Sequence, residues 1–553
     1  DGTIAIGYQA GYSLTSGAGN TLIGYLAGQY FEDSYNTSIG FEAGRYVDGS
    51  SNNFIGYYAG RGSSQSAPYG NGTNNVAFGR EALRSISSGS FNVAIGRDAL
   101  ELTTDGGYNI ALGYAAGTAI TSGNNNILLG RNAANSLTTG GSNVVIGYQA
   151  LYLENTGGNA VAIGYRAGYK NRISATNYNI FLGTNAGREN ASGNRNTYLG
   201  YGAGYGTDGS HSDYNVAVGM YSLFHVIGDY STAVGYQAGY YASASYNTFV
   251  GSEAGKGGTT GAPYSSGKYN TGVGANALKG FTTGQYNTTI GKDAGKAITT
   301  ANYNVFVGSW AGDAVTAGGY NVAMGHQAFS AASTDSDFTV AVGHQAGMAI
   351  TSGDGNVILG AYAGSTLEDL DNSVIIGRQA AQSGNLTAAA DGLIAIGYQA
   401  MKVHTTGARN IAIGYNAMSD TDAGSTSLGS GDNIFIGYSA GSGTWANAAS
   451  NYNVGIGNYT LDSALNGASF NTAIGHSAGS GITTADYNTF VGSYAGQLMT
   501  TGISNVSIGV NALLAHTTGN RNIAIGVNAM TDTDAGSTSQ GSDDTILLLV
   551  IMH

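Results

Sequence analysis

The sequence predicts an all-β chain folded as a parallel β-solenoid, or β-roll, of about 30 coils with a basic repeat of 17 residues. A short motif of the type Asn92-Val93-Ala94-Ile95-Gly96 recurs from Ile4-Ala5-Ile6-Gly7 to Asn522-Ile523-Ala524-Ile525-Gly526. Thirty glycines close these motifs; sixteen of their twenty-nine intervals are 17 residues and the rest 16 to 23. The composition agrees, with 92 Gly, 39 Tyr and only 2 Pro among 553 residues. Collagen would need Gly at every third position, and a disordered chain would be poor in aromatic residues. One such unit cannot bury its own apolar face, so successive coils must stack.

Positions are numbered from the closing Gly as zero. Position −1 is apolar in every copy, and −3 is β-branched in all but Asn53. This alternation reads as a short strand whose −3 and −1 side chains share one side, here assigned to the solenoid interior. Position −4 is Asn in 24 of 30 copies, the pattern of a structural ladder bonded at a turn. The sequons Asn36-Thr37-Ser38 and Asn287-Thr288-Thr289 lie on that ladder and read as structural. Asn71-Gly72-Thr73 and Asn385-Leu386-Thr387 fall between strands and are the better glycosylation candidates. Ala at +3 in 28 of 30 copies marks an interior corner with room for one methyl.

Position −2 carries no charge in any copy, so both faces of the strand read as buried. With the −3/−1 face filling the coil, the −2 face expects a second copy of the chain. The candidate inter-chain packing residues are Ala94, Leu128, Val145, Phe181, Phe249, Phe306, Phe435 and Phe490. Three chains about an axis, two chains, or a lateral bundle would all cover such a stripe; a monomer with an apolar stripe is the bland alternative. Position +1 alternates between aromatics and Arg or His, which reads as a rim covering backbone. Its tyrosines also make a candidate glycan platform, with Tyr148, Tyr165, Tyr398 and Tyr415 the residues of interest.

No linker interrupts the repeats, so 1–553 reads as a single continuous solenoid, with 540–553 a degenerate terminal coil, cap or junction in which Leu549 takes the place of the closing Gly. Two 23-residue steps, holding Ala67-Pro68-Tyr69 and Ala262-Pro263-Tyr264, lie 195 residues apart, and seven consecutive motif glycines share that offset. Blocks of coils have been duplicated. The chain starts at Asp1 without Met, as a cleaved or partial product would, and the open ends at Asp1 and His553 are candidate end-to-end joints.

A net charge of −13, thinly spread, disfavours nucleic acid and anionic membrane. There is no apolar run of 18 to insert in a membrane and no Cys for a disulfide or thiolate metal site. His326 and His344 occupy equivalent places in successive coils and read as a solvated pair. The acidic loops Thr334–Asp337 and Leu367–Asp371 lack the Gly-Gly-x-Gly-x-Asp runs of calcium-binding solenoids. A nucleophile elbow, a phosphate loop and paired catalytic carboxylates are missing, so the expectation is no enzyme and no cofactor.

The motif typified by Val93, Ala94, Ile95 and Gly96 resembles the head repeat of YadA-like trimeric autotransporter adhesins, and the repeat regions of phage tail-fibre-type proteins. Matching repeats cover nearly all of Ile4–Gly526. The departures are a longer coil and Asn in place of the family's usual preceding Ser. The resemblance implies a left-handed, homotrimeric roll located outside the cell, on a cell surface or on a virion. The expected function is a structural fibre that self-associates through its strand faces and serves in surface attachment. A glycan-binding adhesin module and an end-to-end polymerising filament subunit are the alternatives.

Overall fold

A computed structural model describes residues 2–549 apart from positions 64, 174–176, 208, 210, 260–263, 332–335, 383–389, 405, 422–428, 446–447 and 532–546. Asp1, Ala262, Pro263, Thr334, Asp335, the Asn385-Leu386-Thr387 sequon and His553 lie outside the described residues. The chain comprises two compact units, Asp1–Ala275 and Asn276–His553. Each is an all-β parallel solenoid built from three-residue strands, running from Ile4–Ile6 to Thr271–Val273 in the first and from Thr288–Ile290 to Leu547–Leu549 in the second. Among the described residues no helix is long and apolar enough to cross a membrane.

Within each unit the strands occupy positions −3 to −1 and pair in register with the same positions of the next coil, as in Val93↔Ile110, Ala94↔Ala111 and Ile95↔Leu112. The closing Gly fixes the approach of successive coils. Gly79 has φ +141°, and a Cβ there would sit 2.6 Å from the Gly96 carbonyl oxygen. Only Gly meets both demands.

The −4 asparagines form the expected ladder. Asn109 donates from its backbone N and from Nδ2 to Asn92 Oδ1, each at 3.0 Å, and from Nδ2 to the Gly123 carbonyl at 2.9 Å. The same pattern links Asn75, Asn92, Asn109, Asn126 and Asn143, all fully buried. Asn36 and Asn287 of the two ladder sequons are likewise buried, whereas Asn71 is exposed.

The ladder breaks at Ala160, and there the core turns polar. Asn177 Oδ1 accepts from the Asn179 backbone N in place of the missing ladder amide. Asn177 Nδ2 donates to Glu154 Oε2 at 3.0 Å, and Glu154 Oε1 accepts from the backbone N of Asn155 and Gly157. Burial raises the Glu154 pKa, and the surrounding backbone donors oppose the rise. A fully buried carboxylate is tolerated here because it takes over bonds the ladder has lost.

Which strand face is interior differs from the sequence reading. The −2 side chains, not the −3 and −1 side chains, fill the coil. Ala94, Leu128, Val145, Phe181, Phe249, Phe306, Phe435 and Phe490 are each at 0% exposure within a single chain. They are enclosed by the coils of their own chain and so unavailable to a second copy. The interior is narrow, and its contents compensate in volume. All seven aromatics at −2 (Phe54, Phe181, Tyr198, Phe249, Phe306, Phe435 and Phe490) are followed six residues later by Gly at +4. A Cβ on Gly441 would lie 2.7 Å from the Phe435 ring. Where −2 is small the +4 residue is often large, as in the buried pairs Ala94 with Leu100, Ala323 with Phe329 and Ala412 with Met418. Close packing of one shared space produces this exchange.

The terminal strand Leu547–Leu549 pairs Leu547↔Ile523 and Leu549↔Ile525. Leu549 therefore stands at −1, one place earlier than the repeat alignment suggests. The two 23-residue steps that contain Ala-Pro-Tyr each return an aromatic ring onto earlier coils. Tyr69 stacks on Tyr30 at 4.4 Å, and Tyr264 on His225 at 4.3 Å.

Candidate self-association surface

With −4 and −2 turned inward, the outward positions are −5, −3, −1 and +1. In one coil these are Tyr108, Ile110, Leu112 and Tyr114, at 60, 38, 39 and 42% exposure. No residue at −3 or −1 is charged in any of the thirty coils. Each unit therefore carries a continuous strip of half-exposed Val, Ile, Leu and Thr, one strand per coil.

An aromatic ladder borders the strip on either side. On the +1 side, Tyr8, Tyr25, Phe41 and Tyr57 stack at 5.0–5.3 Å. The candidate glycan residues belong to this ladder: Tyr148 stacks on Tyr165 at 5.4 Å, and Tyr398 on Tyr415 at 5.0 Å. Arg131 and Arg166 lie over the Tyr148 and Tyr165 rings. Ring faces are thus taken up by neighbouring rings and guanidinium groups, which leaves edges and hydroxyls outward.

The −5 ladder is the feature that sequence reasoning missed. Position −5 is Tyr or Phe in 15 of 30 coils. In the first unit Tyr214, Tyr230, Tyr246 and Tyr269 stack at 4.8–5.2 Å. In the second, Tyr286, Tyr303, Tyr320 and Phe338 stack at 4.9–5.1 Å. All adopt positive φ, for example +59° at Tyr303, a conformation costing an L-residue roughly 1–2 kcal/mol. Stacking returns about 0.5–1.5 kcal/mol per pair, so a ring with a neighbour on each face offsets its strain. The recurrent Tyr-Asn pair ahead of the strand, as in Tyr303-Asn304 and Tyr487-Asn488, was the available signal.

The remaining polar clusters are internally committed. Among the described residues one acidic trio, Glu81, Asp98 and Glu101, has its carboxylates close enough for an ion. Arg80, Arg84 and Arg97 pair with it. His326 stacks on His344 at 5.1 Å within the +1 ladder. Asp354, Asp371 and Asp391 each accept the backbone N of the residue one coil earlier, Asp337, Asp354 and Asp371 respectively. The acidity of these loops is thus tied to backbone capping.

Burial pushes the Asp462 carboxyl up to about 6, with His476 opposing the shift. Between 3.8 and about 6 the folded chain binds more proton than the unfolded chain, so this group's contribution to stability falls as pH rises through that window. Asp462→Asn is expected to raise the melting temperature near pH 7.5 and to change it little near pH 3.5. Circular dichroism melts check this, and an equal shift at both pH values would refute it.

The class these features define is a repetitive parallel β-solenoid with an outward apolar strip flanked by aromatic ladders. No protein-family model matches the chain, and no curated protein matches it.

Proposed function

We propose that the chain is a structural fibre element that self-associates through the outward −3/−1 strip, trimeric and left-handed as its motif resemblance implies, outside the cell or on a virion. The carrying observation is that sixty strand positions, two in each of thirty coils, present no charge while remaining half-exposed in a single chain. An apolar strip of this extent is costly to leave in water. Its natural complement is an array with the same period of one strand per coil, and a second copy has that period by identity. Attachment to a surface is the role such a fibre serves. The test is the solution mass. Light scattering on the eluting protein is expected to give a multiple of 55.9 kDa. A mass of 55.9 kDa at every concentration up to about 100 μM, where even weak specific association is populated, would overturn the reading.

A further inference from the structure

The outward strip is nearly uniform, and its departures are few. Position −3 is Val, Ile or Thr in every coil except that of Asn53, and position −1 is Ile, Leu or Val except at Phe78 and Met324. The strip's only amide and its only aromatic ring fall in successive coils, where Asn53 pairs with Val76 and Ile55 with Phe78. Asn53 is exposed. Its backbone N donates to the Asn75 carbonyl at 2.8 Å, while its side-chain amide has no hydrogen bond among the described residues. Phe78 stands out at 54% exposure, against 38% for Ile95 at the same place in the next coil.

Neither departure serves the single chain. The interior lies on the other face of the strand, and Thr37, Val76, Ile55 and Ile95 hold the same pairing in the adjoining coils without amide or ring. Asn is disfavoured in strands, so Asn53 works against its own. A wholly uniform strip, by contrast, has a defect as an interface. Two copies that slide by one coil exchange like for like, and their register is weakly specified. In coiled coils a single polar residue within an apolar seam sets register at a cost in stability.

We propose that Asn53 and Phe78 form a register key that aligns copies of the chain coil against the same coil. The key rests on the self-association through the strip proposed above. In register, the Asn53 amides of the copies come to one level, where each donates to the next. A shift of one coil sets Asn53 at the level of Thr37 or Val76. Thr37 offers one hydroxyl to an amide that both donates and accepts, and Val76 offers nothing. An amide left unanswered under cover disfavours the shifted assembly ~10-fold or more. Phe78 adds a steric mark, since a shifted copy sets its ring at the level of Ile55 or Ile95, where the seam is shaped for a smaller side chain. Met324 is a flexible thioether that adapts to its surroundings and marks no register.

Mixed disulfides read the register. Chains carrying Leu182→Cys are co-expressed with chains carrying Val218→Cys, both at −1 and two coils apart in the first unit. Two coils amount to about 9.6 Å along the strip, beyond the roughly 7 Å that a disulfide spans between Cα atoms. Air oxidation is expected to join like chains to each other, with mixed dimers at background by intact mass. Asn53→Val with Phe78→Ile makes the strip uniform there and is expected to raise the mixed product ~10-fold or more. Adding Val93→Asn and Leu112→Phe rebuilds the key two coils along and should remove the mixed product again. Each of these four changes installs a residue that the strip already carries at the same position of another coil, so the fold is kept. Mixed dimers in the unmodified strip, or none in the uniform one, would overturn the key and leave self-association standing. A monomeric mass with no disulfide of any kind would overturn both.

Discussion

Ala94→Asp is expected to unfold the coils around it in a single chain. Ala94 is fully buried between Ala77 and Ala111 of the flanking coils. Leu100 of its own coil is also fully buried. A carboxylate there has no hydrogen-bond donor and too little room, which costs on the order of several kcal/mol whether it stays charged or takes up a proton. Stability in a stacked repeat is a sum of nearest-neighbour terms, so the damage concentrates near the site. Hydrogen exchange should show lost protection around Val76–Phe78, Val93–Ile95 and Ile110–Leu112, with remote coils keeping theirs. Asp98→Ala, two residues past the closing Gly, removes a partly exposed ion pair with Arg97 and should cost no more than about 1 kcal/mol. Equal, near-native protection in both variants would contradict the interior placement of Ala94.

Charging the outer strip should do the reverse, leaving the chain folded and stopping association. Ile95 and Leu129 lie at −1 two coils apart and are partly exposed, so Lys at both places costs the single chain little. Each lysine would be buried when a second copy covers the strip. An uncompensated buried charge costs several kcal/mol, and about 4 kcal/mol already weakens association ~1,000-fold. Ile95→Lys combined with Leu129→Lys is expected to elute as a folded monomer with an unchanged circular dichroism spectrum. Retention of the unmodified protein's oligomeric mass would exclude the strip around these residues as an interface.

The repeat length, the strand positions, parallel pairing and the Asn ladder were legible because each is a periodic demand on residue type. Asn109 and its equivalents must be amides, since one oxygen accepts twice and one nitrogen donates twice. The strand's facing was harder to read. Ile95 and Leu112 are apolar for a surface that one chain does not bury, while Ala94 and Ala111 are small because Leu100 and its neighbours share their space. A period-2 pattern says that two faces differ without saying which lies inside. The exchange of volume between −2 and +4, as between Phe435 and Gly441 or Ala412 and Met418, carries that information.

The central claim is that the −3/−1 strip is where copies of this chain meet. The chain has no cysteine, so a single introduced thiol reports its own surroundings alone. Leu112→Cys lies on the strip, and Leu102→Cys, equally exposed, lies off it on a turn. Air oxidation joins only thiols whose Cα atoms can approach within about 7 Å. The account predicts disulfide-linked dimers from Leu112→Cys and none above background from Leu102→Cys. Equal cross-linking at both positions, or cross-linking at Leu102→Cys alone, would contradict it.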